Sequence, residues 1–237
     1  MPKVLGVDGC PHGWCAVQLD ARKLTLTPVH YDTFEAILDA HPNTVIAIDV
    51  PIGLMDGPGG RECDRAARAY LRWPRRTSVF SPPARKTLKW CGHDGDYKEA
   101  CRVNREVTGG KAISQQSFWI GPKIREVDEA MTRAIERRVY EAHPEVCFAA
   151  IAGHPMSNRK SRRLGREERW RHLRKKFPQL PPEPARPAEL GRRCDLVDYI
   201  DAIACAWTAA RIAADEAVPM PEKALRDRCG LRMTIWR

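Results

Sequence analysis

The sequence predicts a mixed α/β fold in which helices flank a five-stranded sheet. Three segments within the first thirty residues have the apolar patterning of strands and are separated by tight turns, as in an antiparallel meander. A helical pattern follows, and residues 44–49 then form the continuous apolar run typical of a strand buried on both faces. Because a strand–helix–strand connection returns the chain parallel to an earlier strand, we expect both parallel and antiparallel pairs.

The first predicted strand is an apolar run that ends on Asp8, where Gly9 interrupts it. An Asp-Gly pair is also a hairpin signal, so this stretch alone leaves a turn residue and a functional carboxylate both open. The second and third strands are predicted at residues 14–19 and 24–29, each bounded by turn residues.

The remaining elements follow from helical and strand periodicity. Asp32 is expected to cap the first helix, because Glu35 stands three residues later as in a capping box. Residues 57–136 are expected to form a mostly helical insertion within one domain that spans residues 1–237. Further helices are predicted over 61–71, 97–107, 114–135 (interrupted or kinked near Gly121-Pro122), 146–151, 159–176 and 196–214, and strands over 138–144 and 231–236.

Composition argues against several classes of protein. No stretch approaches the roughly 20 apolar residues of a membrane span, and Met1-Pro2-Lys3 leads directly into the first strand, so neither membrane insertion nor a signal peptide is expected. The nine cysteines are scattered and include no Cys-x-x-Cys pair. This spacing argues against a structural zinc site and favours reduced thiols in the cytoplasm.

The basic residues are concentrated in one segment. The chain carries a net charge of +10, and residues 159–176 contain ten Lys or Arg residues against two acids, Glu167 and Glu168. A solvated helix face would explain such a run, but the same run would also contact a polyanion. We therefore expect nucleic acid, DNA or RNA, as the partner. The expected backbone contacts are Arg162, Arg163, Arg166 and Arg169.

Acidic residues stand at matching positions in two strands. Asp8 ends the first strand, and Asp49 ends the apolar run that begins at residue 44. The ends of neighbouring strands lie about 5 Å apart, and the carboxyl ends face the crevice in which such sheets bind ligands. Each acid alone is explained as a turn residue, whereas the pair indicates a shared site.

The last long helix adds further aspartates. Asp195 suits the N-cap and Asp198 the first turn, but Asp201 lies among apolar residues with no Lys or Arg at helical spacing. An unpaired buried carboxylate is costly, so we expect a divalent cation as its partner. We predict two Mg²⁺ or Mn²⁺ ions held by Asp8, Asp49, Asp198 and Asp201, as metal-dependent phosphodiester hydrolysis requires.

Other polar residues are candidates for the same chemistry. Glu141 and His143 stand at the end of a predicted core strand. There Glu141 would be a fifth acid near the metals and His143 a general acid or base, and a solvated strand end is the alternative. The candidates for phosphate binding are Arg75, Arg76, Ser78, Lys123 and Arg125.

The order of the elements resembles the ribonuclease H-like fold, and several motifs resemble one family within it. That family is the predicted ribonuclease H-like nucleases, also called domain of unknown function 429, and the similarity covers about residues 3–215. The resemblance implies a nuclease fold with a metal-dependent activity. The matching stretches are Val7-Asp8-Gly9-Cys10-Pro11, Ile48-Asp49-Val50-Pro51-Ile52-Gly53-Leu54, Arg61-x-Cys63-Asp64, Arg76-x-Ser78-Val79-Phe80 and Glu141-x-His143-Pro144-Glu145.

Three functions are open from the sequence. The first is a Mg²⁺- or Mn²⁺-dependent nuclease with Asp8, Asp49 and Asp201 as its central acids. The second is a catalytically silent nucleic-acid-binding or regulatory module with the same fold. The third is a phosphotransferase of the sugar-kinase and actin class, which shares the strand order but needs two such domains around a nucleotide. The chain is too short for two such domains, so the third function is the least favoured of the three.

Overall fold

The computed structural model describes residues 3–237; Met1 and Pro2, which precede the first predicted strand, lie outside this range. The strands are β1 (Lys3–Cys10), β2 (Gly13–Asp20), β3 (Thr25–Tyr31), β4 (Ile46–Ile48), β5 (Val139–Ala142), β6 (Pro219–Arg226) and β7 (Arg232–Trp236). The α-helices are α1 (Phe34–Ala40), α2 (Glu62–Leu71), α3 (Tyr97–Thr108), α4 (Gln115–Ala130), α5 (Pro144–Ala152), α6 (Arg163–Lys176) and α7 (Leu196–Ala213).

Within residues 3–237, seven strands form one mixed sheet in the order β3-β2-β1-β4-β5-β7-β6. β1 pairs antiparallel with β2 and parallel with β4, and the parallel part continues through β5 to β7. β6 closes the sheet by pairing antiparallel with β7. The predicted mixed α/β class with flanking helices is confirmed, whereas the predicted number of five strands is wrong.

The additional strands come from the end of the chain. β7 coincides with the segment predicted at residues 231–236, but β6 has no clear strand pattern in the sequence. Its residues include Pro219 and Pro221, which cannot donate hydrogen bonds to a neighbouring strand. These prolines are tolerated because β6 lies at the edge of the sheet.

Each face of the central sheet has its own hydrophobic core, because side chains alternate along a strand. Leu5 and Ile48 belong to the core that includes residues of α1 and α4. Val4 and Ala47 belong to the core on the opposite face, which includes residues of α5, α6 and α7. The helices α2, α3 and α4 lie between β4 and β5 in the chain.

Two helix predictions need correction. The N-cap of α1 is Thr33 instead of Asp32, and the hydroxyl of Thr33 accepts the N–H of Ala36 at 3.2 Å. α4 continues as one helix through Pro122, so it is not interrupted there, and it ends at Ala130, before the predicted end at residue 135. Among residues 3–237, no helix is long and apolar enough to cross a membrane.

Helix α7 lies directly on β1 at Gly6. A Cβ atom at Gly6 would stand 2.1 Å from the carbonyl oxygen of Ala202 and 2.1 Å from the backbone nitrogen of Ala206. The missing side chain therefore allows the helix backbone to touch the strand. This contact fixes the position of Asp201, the neighbour of Ala202, relative to the end of β1.

Gly6→Ala is expected to destabilise the fold by about 3 kcal/mol, the upper part of the usual range for an overpacked core. The added methyl group meets helix backbone, which cannot move aside as a flexible side chain can. Urea unfolding would measure the change. The control is Gly57→Ala, because a Cβ atom at Gly57 meets no atom within 4 Å. Equal urea midpoints for the two variants would show that the close contact is unimportant.

Candidate metal centre

Three aspartates from separate elements meet at the carboxyl end of the central strands. Asp8 lies in β1, Asp49 directly follows β4, and Asp201 lies in the second turn of α7. One carboxylate oxygen from each lies within 4.8 Å of the other two. Asp201 is fully buried, Asp8 is buried and Asp49 is half-buried.

Backbone pairing between β1 and β4 positions the first two acids. Val7 is in register with Ile48, and the N–H of Asp49 donates to the carbonyl oxygen of Val7 at 2.9 Å. Asp8 and Asp49 are therefore the next residues on two adjacent parallel strands, and both side chains point to the face that α7 covers. The contact at Gly6 then brings Asp201 to the same point.

Lys160 is the partner of Asp201, and the sequence prediction missed it. This lysine lies in the loop before α6 and brings Nζ to 2.5 Å from Oδ2 of Asp201. The sequence shows no Lys or Arg at helical spacing from Asp201, and a partner from a distant loop cannot be found by that spacing. The other oxygen, Oδ1 of Asp201, is buried and has no hydrogen-bond partner within residues 3–237.

The charges of the cluster are strongly coupled. Burial raises the pKa of Asp8 well above its ordinary value, and the carboxylates of Asp49 and Asp201 add to this effect. Burial also raises the pKa of Asp49, although His143 and Lys160 act in the opposite direction. Burial disfavours the charge of Lys160, but attraction to the aspartates prevails and raises the pKa of its ammonium group. The cluster therefore favours additional positive charge.

Asp198 lies beside the cluster but is engaged at the end of the helix. Its Oδ2 accepts the N–H of Asp195 at 2.7 Å, as part of a capping box. Burial raises the pKa of Asp198 to about 6. In the described part of the chain, Asp198 does not belong to the set of carboxylates close enough to share one ion. The structure thus brings together three of the four predicted metal ligands.

The structure separates Glu141 from the aspartates. Glu141 is in register with Ile48, so its side chain points to the face opposite that of Asp49. Its carboxylate accepts the N–H of Ile52 at 2.8 Å and pairs with the guanidinium of Arg61 at 2.5 Å. Burial raises the pKa of Glu141 to about 7, while Arg61 acts against this rise. The expectation that Glu141 joins the metal ligands is corrected accordingly.

Arg61 also contacts Cys63 and Asp64, and these residues form a second buried cluster with Glu141. The guanidinium lies 3.4 Å from a carboxylate oxygen of Asp64 and 2.8 Å from Sγ of Cys63. Because Arg61 already supplies positive charge, the cluster fastens α2 to β5 without needing a metal.

His143 remains next to the aspartates. It is close enough to Asp49 to lower the pKa of that carboxyl group, against the larger effect of burial. Nε2 of His143 lies 3.3 Å from the carbonyl oxygen of Ser78, and Nδ1 is buried without a hydrogen-bond partner in residues 3–237.

The predicted phosphate-binding residues divide into buried and exposed groups. Arg169 is fully buried, pairs with Glu145 and donates to the carbonyl oxygen of Asn158 at 3.0 Å, so its predicted contact with nucleic acid is wrong. Arg75 is also buried, and its carbonyl oxygen accepts the hydroxyl of Ser78 at 2.7 Å.

The other phosphate candidates keep some exposure. Lys123 lies over the ring of Trp14 at 4.4 Å and 3.8 Å from a carboxylate oxygen of Glu126. Arg166 is half-buried. The exposed candidates are Arg76, Arg125, Arg162 and Arg163.

The fold and this site define a mixed α/β protein with a centre of three carboxylates. A family model described as "Protein of unknown function (DUF429)" matches residues 6–226. The chain therefore belongs to this family, as the sequence motifs predict. The matched range includes Asp8, Asp49, Lys160 and Asp201. No curated protein and no solved structure matches the chain.

Titration calorimetry with Mn²⁺ tests whether the aspartates hold a cation. Wild type is expected to bind Mn²⁺, and Asp8→Asn to lose that binding, because one of three charged ligands is removed. Lys160→Met is expected to bind Mn²⁺ about tenfold more tightly, since a competing positive charge next to Asp201 is gone. Unchanged affinity in Asp8→Asn would contradict the assignment of this cluster as a metal site.

Proposed function

We propose that this protein is a divalent-metal-dependent nuclease that hydrolyses phosphodiester bonds in nucleic acid. The observation that carries the proposal is the convergence of Asp8, Asp49 and Asp201 from three separate elements. Carboxylate oxygens are the ligands that Mg²⁺ and Mn²⁺ prefer. The buried, unpartnered Oδ1 of Asp201 among residues 3–237 supports a role as such a ligand.

We propose a ribonuclease H-like architecture for the first five strands. The order β3-β2-β1-β4-β5 supports it, with antiparallel pairs from β3 to β1 and parallel pairs from β1 to β5. The acid-bearing helix α7 against β1 supports it as well. In this view β7 and β6 extend the sheet beyond β5.

The charge of the cluster favours one divalent cation beside Lys160, where the sequence predicts two ions. Three carboxylates and one ammonium group leave a formal charge of −2, which a single divalent cation balances. A second divalent cation would leave a net positive charge in a buried site. The titration of wild type and Lys160→Met with Mn²⁺ also reports the number of ions bound.

Hydrolysis joins a water oxygen to phosphorus while the bond from phosphorus to one ester oxygen breaks, giving a phosphate monoester and a hydroxyl group. A divalent cation bound at the aspartates would supply Lewis acidity and lower the pKa of a bound water. Asp8, Asp49 and Asp201 would hold that cation, and Nζ of Lys160 would offset charge on the phosphate. His143, with a free Nδ1 among the described residues, would transfer a proton.

An arginine-lined groove next to α7 supports nucleic acid as the substrate. The groove has a volume of about 500 Å³, lies between α6 and residues 182–184, and reaches Leu196 at the start of α7. Its wall carries Arg163, Arg166, Arg171 and Arg174. Phosphate groups of a nucleic-acid backbone bind to such arrays of arginine.

A second groove, of about 530 Å³, lies along α2 and the segment after it. It is lined by Trp73, which is 77% exposed, and by arginines. An exposed tryptophan beside arginines is a surface on which an unpaired base stacks. The same segment reaches the centre, because the carbonyl oxygen of Ser78 lies 3.3 Å from His143. The arginines of this groove are Arg65, Arg68, Arg72 and Arg76.

Cleavage of single-stranded and duplex DNA and RNA in Mn²⁺ tests the activity. Asp201→Asn is expected to reduce the cleavage rate at least about 100-fold. Removing a residue that only orients a metal ligand costs about 10- to 100-fold, and removing the ligand itself should cost more. The matched control is Asp198→Asn on the same helix, whose amide oxygen can still accept the N–H of Asp195. This variant is expected to keep most of the activity.

Two outcomes would count against the nuclease. Equal rates in wild type and Asp201→Asn would remove the metal centre from the reaction. If wild type binds nucleic acid, cleaves none of the substrates and keeps the same melting temperature with Mn²⁺ or Mg²⁺, the silent binding module replaces the nuclease.

The groove beside α6 predicts a specific change in salt dependence. Replacing Arg163 and Arg171 by Ala is expected to weaken binding of a labelled oligonucleotide and to reduce the slope of log affinity against log salt by about 1–2. The control replaces Lys98 and Arg105, exposed residues of α3 in the insertion, by Ala. Fluorescence anisotropy at several salt concentrations measures both slopes, and equal slopes in the two double variants would exclude this groove.

A further inference from the structure

A second group of metal-binding side chains lies near the start of α7. Cys10 ends β1, His30 lies in β3, and Cys194 precedes α7 by two residues. One ligand atom from each lies within 4.8 Å of the other two, and the sulfur atoms of Cys10 and Cys194 are 3.4 Å apart. Both cysteines are buried, and the side chain of His30 is 1% exposed.

Strand register adds a fourth side chain to this group. Cys15 in β2 is paired with Asp8 of β1 on one side and with His30 of β3 on the other. Directly paired residues share a face of the sheet, and Cys10 stands two residues after Asp8. Cys10, Cys15 and His30 therefore all point to the face that α7 covers.

Cys15 faces the same region, whereas the residues whose ligand atoms all lie within 4.8 Å of one another in this described group are Cys10, His30 and Cys194. Cys15 is fully buried. Two cysteines and one histidine from three parts of the chain thus converge on one enclosed point, and Cys15 on the strand between them faces the same side of the sheet.

We propose that Cys10, His30 and Cys194 hold a structural zinc ion and that Cys15, which is paired with His30 and faces the same side of the sheet, supplies the fourth ligand. Three thiolates and one imidazole are a common tetrahedral donor set for structural Zn²⁺. Zn–S bonds of about 2.3 Å in a tetrahedron separate two sulfur atoms by about 3.8 Å, close to the separation of Cys10 and Cys194. Binding replaces the thiol protons by the metal and involves no change of oxidation state.

The surroundings of His30 suit a ligand. Nε2 lies 2.8 Å from the carbonyl oxygen of His12, and Nδ1 lies 3.6 Å from a carboxylate oxygen of Asp32. A ligating histidine offers one nitrogen to the metal and keeps the other in a hydrogen bond that orients the ring. If Nδ1 binds the metal, the carbonyl oxygen of His12 orients the ring through Nε2. If Nε2 binds the metal, the carboxylate of Asp32 lies beside Nδ1.

The site would fasten the start of α7 to the three antiparallel strands. Cys194 is followed by Asp195, Asp198 and Asp201, so zinc would hold the same helix end that carries the acids of the metal centre. The absence of a Cys-x-x-Cys pair argues only against ligands from one loop. This site draws on four separate segments, and its existence does not depend on the proposed nuclease activity.

Metal analysis of the purified full chain tests the site. After growth with zinc and dialysis against a weak chelator, wild type is expected to contain about one zinc per chain. Cys194→Ser is expected to lose at least nine-tenths of it. The control is Cys101→Ser, which changes a buried cysteine of α3 that lies outside this group. Zinc equal to that of wild type in Cys194→Ser would overturn the proposal.

If Cys194→Ser fails to fold, substitution of cobalt for zinc in the wild-type protein tests the site instead. Wild type reconstituted with Co²⁺ is expected to show thiolate-to-cobalt charge-transfer absorption and the intense visible bands of tetrahedral coordination. Weak octahedral bands without charge transfer would contradict the proposal. So would zinc-free protein in which non-reducing mass analysis finds Cys10 and Cys194 joined as a disulfide.

Discussion

The direct contact of α7 with β1 at Gly6 determines where the acids meet. The helix backbone occupies the volume that any side chain at residue 6 would fill. The helix residues that face Gly6 are Ala202 and Ala206, whose small side chains allow the helix to lie close to the strand. Both alanines are fully buried. The carboxylate of Asp201 is consequently held in the protein interior next to Asp8 of β1 and Asp49, which follows β4. Without this contact, the sheet would present two acids to solvent and no enclosed centre.

Enclosing three carboxylates creates a charge that the protein offsets in part. Lys160 provides one positive charge, and α6 fixes the loop that carries it. The carboxylate of Glu168 accepts the N–H groups of Ser157 and Asn158 at 2.7 and 2.8 Å, and Arg169 donates to the carbonyl oxygen of Asn158. The buried residues of α6 thus orient the loop that carries Lys160. The arginines on the outer side of α6 line the groove described above.

The basic segment therefore contributes both to a buried contact and to an exposed groove, which its composition cannot distinguish. A run of arginines predicts contact with a polyanion wherever its members are exposed. Arg169 is the exception, since it is buried against Glu145 and stabilises the loop. The proposed nuclease needs both uses, because the loop brings Lys160 to Asp201 and the groove begins beside the same helix.

The sequence was informative where a feature depends on neighbouring residues in the chain. The apolar runs before Asp8 and Asp49 predict two strands, although β1 continues past Asp8 and Gly9 to Cys10, so the predicted strand end at Asp8 is wrong. The apolar surroundings of Asp201 predict a buried acid. Glu141 shows the limit, because a shift in register of one residue moves a side chain to the other face. Pairing with Ile48, which no local pattern reveals, turns Glu141 away from the centre.

Contacts between segments that are far apart in the sequence could not be predicted from local sequence patterns. Lys160 reaches Asp201 from a loop whose path depends on the packing of α6. Cys10 and Cys194 are far apart in the sequence, and their sulfur atoms lie 3.4 Å apart only because α7 begins over the first strands. The edge strand β6 also depends on a distant segment. Its prolines remove the strand pattern from the sequence, and the strand forms because β7 is available to pair with it.

The most direct test of the account is a crystal structure of the protein soaked in Mn²⁺, with anomalous scattering used to locate the ion. We predict an anomalous peak that marks a Mn²⁺ ion bound by carboxylate oxygens of Asp8, Asp49 and Asp201. The ammonium group of Lys160 is then either displaced from Oδ2 of Asp201 or located beside the ion. A structure with no peak among these aspartates, and with Lys160 still bonded to Asp201 at saturating Mn²⁺, would contradict the account.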